Sequence, residues 1–427
     1  MNIRIPYGTD TVEAKADWLR PLATLDVGET DSLADVPAAV HAGLANPIGG
    51  GGLQERLRPG GSVVLVVSDS FRKTGVDQIL PTLLAWLAER GVAESAISFL
   101  IATGSHRPPT PEELDEILGA AIHRRFADRI FAHDPSDREN LVEMGCTSRG
   151  TPVSLNRRAL EADTLIVTGT VVLHYFGGFG GGRKSIVPGL AGLETIAANH
   201  ALNLDPVEDT LNPSVAIGRM AGNPVAEDML EGTQLGPDAF LINTVLDRRG
   251  QIARIFMGDL VAAHEAACAF SASLYMVPIR KRADLVIASA GSARNFIQSH
   301  KSLYNASQAA LPEGRIVLLT PAEEGYGGTK FAEWLALGSR EAIISALRRN
   351  AEINGQTALS TLEKARRTVF VTRMGGELVS AMGGRRAESL AEALLLLRED
   401  FLLAGVEKPT CYVMPTASVT VPVFQPT

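Results

Sequence analysis

Three apolar runs, SVVLVVSDS from Ser62, AISFLIATGSH from Ala96 and ADTLIVTGT from Ala162, each end in a polar turn. Helical patterns separate the runs, among them an amphipathic stretch over Ile79–Arg90 with Pro81 near its start. The segment TPEELDEIL offers Thr110 as an N-cap with acidic residues in the first turn, another helix start. Strands joined through helices cannot be hairpins, because a parallel partner is reached only by a crossover of a dozen or more residues. Near-continuous apolarity also means that both faces of each strand are covered. The pattern therefore restricts the chain to an α/β fold built on doubly wound, mainly parallel sheets. Ligands of such sheets lie beyond the carboxyl ends of the strands. Asp69, His106 and His174 all fall there.

A chain of 427 residues exceeds one ordinary core, so two domains are expected. A second α/β block starts near Ala283 with ADLVIASAGSARN and continues through RIVLLTP, TVFVTR and CYVMP, with helices around Glu341–Arg349 and Leu390–Glu399. The expected division is an N-terminal domain over 1–272 and a C-terminal α/β domain over 273–407, with the active site in the cleft between them. The tail, 408–427, is expected to return to the first domain. A net charge of −8 argues against a nucleic-acid partner, which would need a basic face. No apolar run approaches the roughly 20 residues that span a bilayer. The N-terminus lacks a signal-peptide layout. Three scattered cysteines suggest neither a disulfide framework nor a CxxC metal site, and the expected setting is cytoplasmic.

The stretch LHYFGGFGGGRKSIVPGLAGLETIAANH, Leu173–His200, concentrates the chemistry. Gly177, Gly178, Gly180, Gly181 and Gly182 let backbone N–H groups approach an anion, and Arg183 and Lys184 add positive charge. A helical pattern follows and presents His200 near its end. Two histidines in equivalent loops of one sheet, His106 and His174, can share a crevice and exchange acid and base roles. Arg72 suits a carboxylate through two parallel bonds, and Lys301 adds a second positive contact. His41, His123, His133 and His264 are read as structural.

The block HYFGGFGGGRKSIVPGLAGLETIAANH resembles the signature of the nickel-pincer lactate racemase family, the 2-hydroxyacid racemases and epimerases. SDSFRK, ATGSHRPPTPEEL and QSHKSLYNA are similar to three further family blocks, in the same order. The resemblance implies an isomerase carrying nickel in a pyridinium-3,5-bisthiocarboxylic acid mononucleotide, made by separate biosynthesis enzymes and tethered through a thioamide. By motif, Lys184 would be the covalent attachment point and His200 the nickel ligand. His106 and His174 would be the acid/base pair, Arg72, Gln298 and Lys301 would orient a small 2-hydroxyacid, and Asp69 would sit beside the cofactor. The glycine loop and Arg183 would receive the nucleotide phosphate. The implied reaction is proton-coupled hydride transfer through a 2-keto acid.

Two blocks depart from the family pattern. Phe71 and Lys73 flank Arg72 where Thr and Pro are usual, and GSARNF precedes Gln298 in place of aromatic and acidic residues. Lys73 and Arg294 thus add positive charge, which would suit a dicarboxylic substrate such as malate. Other readings stay open. Lys184 could form a Schiff base in a pyridoxal-phosphate enzyme; His106, His174 and His200 could ligate zinc in a hydrolase; or the chain could bind a cofactor without catalysing a reaction.

Overall fold

The strand Val63–Ser68 is buried along its whole length because it lies inside a six-stranded sheet. In the computed structural model, which describes residues 1–425, its neighbours are Thr164–Thr170 on one side and Ile97–Ala102 on the other. Ile130–Ala132 continues one flank, and Phe240–Leu246 then Ile252–Asp259 continue the other. Every pairing is parallel except the last, which is antiparallel. Val63, Leu65 and Val67 pack on one face with Leu80, Leu83 and Phe99. Val64 and Val66 pack on the other with Leu190 and Val225. A strand buried on both faces has no solvent side, which is why its sequence shows no polar alternation.

Chain order explains where this sheet opens. The chain begins at Val63–Ser68, steps outward twice, then crosses back to lay Thr164–Thr170 on the opposite side. That reversal is the switch point at which connections diverge and leave a crevice beyond the carboxyl ends. Asp69, His106 and His174 follow three adjacent strands there. At about 4.8 Å per strand, the outer two of the three lie roughly 10 Å apart.

Residues 29–273 form this unit, and residues 1–28 join those from 274 onward in a second. The second sheet is wholly parallel, in the order Arg385–Ala387, Thr368–Val371, Ala310–Leu319, Ala283–Ser289, Thr410–Met414, Arg20–Thr24. Helix Phe296–Ala309, capped by the Asn295 side chain, carries Gln298 and Lys301 in its opening turns.

This division differs from the one expected. Residues 1–28 do not belong with the first domain: Ile3, Ile5, Ala16 and Leu19 share a core with Leu285, Val317 and Leu397. The tail does not return to the first domain either, since Thr410–Met414 sits inside the second sheet and Val421–Phe424 pairs with Met276–Ile279. The unit boundary falls after Ser273, inside helix Ala262–Tyr275. Strand periodicity specifies which faces are buried but not which strand supplies the neighbour. No helix among the described residues is long and apolar enough to cross a membrane.

Candidate active site

The turn leaving Val63–Ser68 fixes its first acid at both oxygens. Asp69 Oδ1 accepts the Phe71 N–H at 3.2 Å, and Oδ2 lies 2.6 Å from His106 Nδ1. The Asp69 side chain is 3% exposed against 42% for His106, so a buried carboxylate steadies a ring that solvent reaches. The Phe71 ring lies 4.7 Å from the imidazole. Arg107 is held by Glu113, which closes the capping box of helix Pro111–Leu118. Arg72 is exposed on the same turn, within electrostatic reach of both Asp69 and Lys184. Lys73 is exposed and runs beside Gly250, in the turn after Phe240–Leu246, where an added Cβ would lie 3.1 Å from its Nζ.

Beyond Thr164–Thr170 the chain forms a two-residue hairpin, Leu173–His174 against Gly178–Phe179. His174 Nδ1 accepts the N–H groups of Gly177 at 3.2 Å and Phe176 at 3.4 Å, so the side chain closes its own turn. Phe176, 1% exposed, becomes a hub. Its ring centroid is 4.4 Å from the His174 ring, 5.1 Å from Lys184 Nζ and 5.0 Å from the His200 ring. One aromatic side chain thus gathers three residues that the sequence separates by up to 26 positions.

The glycines serve close packing within the protein. A Cβ on Gly178 would stand 2.2 Å from the Arg219 carbonyl oxygen, and one on Gly181 2.6 Å from Asn243 Oδ1. One on Gly182 would meet the His264 ring at 2.4 Å. Gly180 packs on Val172, while a Cβ on Gly177 would reach Lys184 Nζ at 3.3 Å. Arg183 differs from its expected place on a phosphate. It is 1% exposed, its Nε donates to the Ala226 carbonyl at 3.1 Å and its Nη2 to the Gly177 carbonyl at 2.8 Å. Its Nη1 faces His264 Nδ1 at 3.4 Å, and His264 Nε2 donates to Gly180. Burial lowers Arg183 to about 10 and His264 to about 4, so a cation and a neutral ring brace the loop together.

This brace sets Lys184, 9% exposed, in a one-turn 3₁₀ segment, Gly182–Ser185. Burial, then the charges of Arg72 and Arg183, hold the amine well below its usual range. Burial that disfavours the ammonium favours the nucleophilic form of the amine, and acylating it removes the cost of a buried charge. His200 sits in the last turn of helix Leu193–Ala201, where the helix dipole would favour a cation by up to ~2 kcal/mol. Burial and Lys184 instead push it from 6.5 to about 3, a change worth about 5 kcal/mol. Desolvation wins, leaving a neutral imidazole that can ligate a metal. Among the described residues no three His, Cys, Asp or Glu side chains are grouped to hold an ion, so the zinc set of His106, His174 and His200 does not assemble. A metal at His200 would take its remaining donors from an organic group; sulfur, carbon and one imidazole suit nickel. The side chains present therefore fit a tethered, metal-bearing cofactor.

In the second unit Gln298 and Lys301 are exposed on their helix. Gln298 Oε1 accepts the Arg294 N–H at 3.0 Å, and the Arg294 guanidinium pairs with Glu324 at 2.7 Å. Sequence reasoning missed Phe176 as the hub, Asn243, which accepts the Gly182 N–H, and Asn223, which donates to the Phe176 carbonyl. Only the aromatic within HYFGG carried any local signal.

Residues 7–210 match the family described as the lactate racemase N-terminal domain. The lactate racemase of Lactiplantibacillus plantarum is 34% identical over 341 residues, 78% of each chain. That of Thermoanaerobacterium thermosaccharolyticum is 30% identical over 338 residues, 78% of this chain and 77% of the relative. The solved lactate racemase apoprotein from T. thermosaccharolyticum superposes with a TM-score of 0.86 at 28% identity, covering 99% of this chain and all of that one. A Thermotoga maritima protein shares the fold at a TM-score of 0.65 and 18% identity, over 93% of this chain and all of its own.

Proposed function

This chain belongs to the lactate racemase family and is an isomerase, and on that premise we propose that it racemises a small 2-hydroxyacid with a tethered nickel-pincer nucleotide. The observation that carries the proposal is the grouping of a buried amine, a buried imidazole and a second histidine around the Phe176 ring. Lys184 holds the pyridinium-3,5-bisthiocarboxylic acid mononucleotide, and His200 is the protein's ligand to nickel. When bound, that group supplies an acceptor for the hydride on the substrate Cα. Its presence depends on separate biosynthesis enzymes.

The chain's own residues do the rest. Arg72 grips the substrate carboxylate through two parallel bonds. His106 and His174 handle the hydroxyl proton on the two faces, because inversion needs a proton carrier on either side of a planar 2-keto acid. The glycines let the loop lie close enough to keep Lys184 dry. On specificity we propose malate, from the positive charge of Lys73 and Arg294. Arg294 already pairs with Glu324, so a second carboxylate would compete for that guanidinium.

Intact mass and metal analysis of protein produced with the cofactor-biosynthesis enzymes test this reading. The expected result is one adduct on Lys184 with stoichiometric nickel, absent from Lys184→Ala, whereas His200→Ala keeps the adduct and loses nickel. Racemisation by Lys184→Ala would overturn the tether. Rates on malate, lactate and gluconate decide the substrate, and a preference for lactate refutes the charge argument.

A further inference from the structure

The donors around the two loop histidines carry more than proximity, and we infer that the protein stores them as opposite tautomers, with Asp69 setting His106 and the backbone of Phe176 and Gly177 setting His174. The inference deepens the racemase reading and rests on it for its catalytic consequence only.

At His106 the partner is a carboxylate oxygen 2.6 Å from Nδ1. An ionised carboxylate has no proton to give, so Nδ1 carries the hydrogen and the lone pair lies on Nε2. The Phe71 N–H holds the other oxygen of Asp69, and the Phe71 ring covers the imidazole at 4.7 Å. The Asp69 carboxylate is thereby held at both oxygens. At His174 the relation is inverted. Backbone amides only donate, and two of them point at Nδ1. That nitrogen therefore keeps its lone pair, and the neutral ring bears its proton on Nε2.

The pair thus begins a turnover unequally equipped. His106 offers a proton acceptor at Nε2, with an anion behind it to stabilise the cation that forms. His174 offers a donor, and becomes an acceptor at Nε2 only if the Phe176–Gly177 amides release Nδ1. In the first half-reaction the substrate O–H bond breaks and its proton binds His106 Nε2. The O–H electron pair would become the second C–O bond of the 2-keto acid, and the cofactor held by Lys184 and His200 would supply the acceptor for the hydride that departs from Cα with its own pair. Asp69 is therefore a positioning residue for His106, a role different from the place beside the cofactor that the motif suggests.

Long-range ¹H–¹⁵N NMR of the full-length, cofactor-free protein labelled at histidine reads both tautomers directly, at a pH where the rings are neutral. Wild type should show the proton on Nδ1 of His106 and on Nε2 of His174. Asp69→Ala should return His106 to a mixture dominated by Nε2–H and leave His174 unchanged, which also reports an intact fold; Asp69→Glu should restore Nδ1–H at least in part. In the loaded enzyme Asp69→Ala should lower kcat by about 10- to 100-fold with little change in KM. Identical tautomers in wild type, or an unchanged His106 in Asp69→Ala, would overturn the inference. Failure of the racemase reading leaves the NMR result standing, so the two failures are distinguishable.

Discussion

Substituting Gly182 with alanine tests whether the loop around Lys184 is a packed brace. Gly182 has φ 53°, and its added Cβ would lie 2.4 Å from His264 Cγ and 2.5 Å from Cδ2. The ring cannot step aside, because Nε2 is bonded to the Gly180 carbonyl and Nδ1 faces Arg183. The left-handed backbone alone costs an alanine about 1 kcal/mol, and overpacking of this kind adds about 1–3 kcal/mol. Gly50→Ala is the matched control: it has φ 82° and no atom within 4 Å of the added Cβ, so only the backbone cost applies. Urea denaturation of the cofactor-free protein should place the Gly182→Ala midpoint about 1 M below that of Gly50→Ala, for m near 2 kcal/mol/M. In a cycle with His264→Ala the two losses should fail to add. Equal midpoints for the two glycine variants would refute the brace.

Stability should also fall on the acid side through buried rings. Burial holds His264 at about 4 and His300, close to Lys364 and Lys301, at about 3. Both bind protons more readily when unfolded, so their contribution is complete above about pH 6.5 and disappears as pH falls towards the folded values. For His264 the full span is about 3 kcal/mol. Thermal midpoints between pH 7 and 4 should decline and flatten partly in His264→Asn; a parallel decline in that variant would contradict this. Replacing the hub, Phe176→Leu, should cost about 1–2 kcal/mol and reduce the yield of Lys184 adduct in mass spectra. An unchanged yield would remove Phe176 from the account of the site.

The sequence by itself determined the elements and their kind. Unbroken apolar runs in the first unit could only be strands buried on both faces, and the turns after them put Asp69, His106 and His174 at one edge of the sheet. It also determined the residue types available for chemistry, since Lys184 follows one glycine-rich turn and His200 lies near the end of one short helix. These are local properties, readable from spacing over a few residues. Tertiary structure decided everything that depends on closing long loops. It placed Val63–Ser68 beside Thr164–Thr170, a hundred residues apart in the chain, and so set the switch point of the sheet. It turned Arg183 inward, because the carbonyls of Ala226 and Gly177 converge where a phosphate contact was expected. It carried residues 1–28 into the second unit through the pairing of Arg20–Thr24 with Thr410–Met414. It also brought the Asp69 carboxylate to His106 across 37 positions. A hydrogen bond of that span has no periodicity in the sequence; it exists only once two strands have paired, and that pairing is a property of the whole fold.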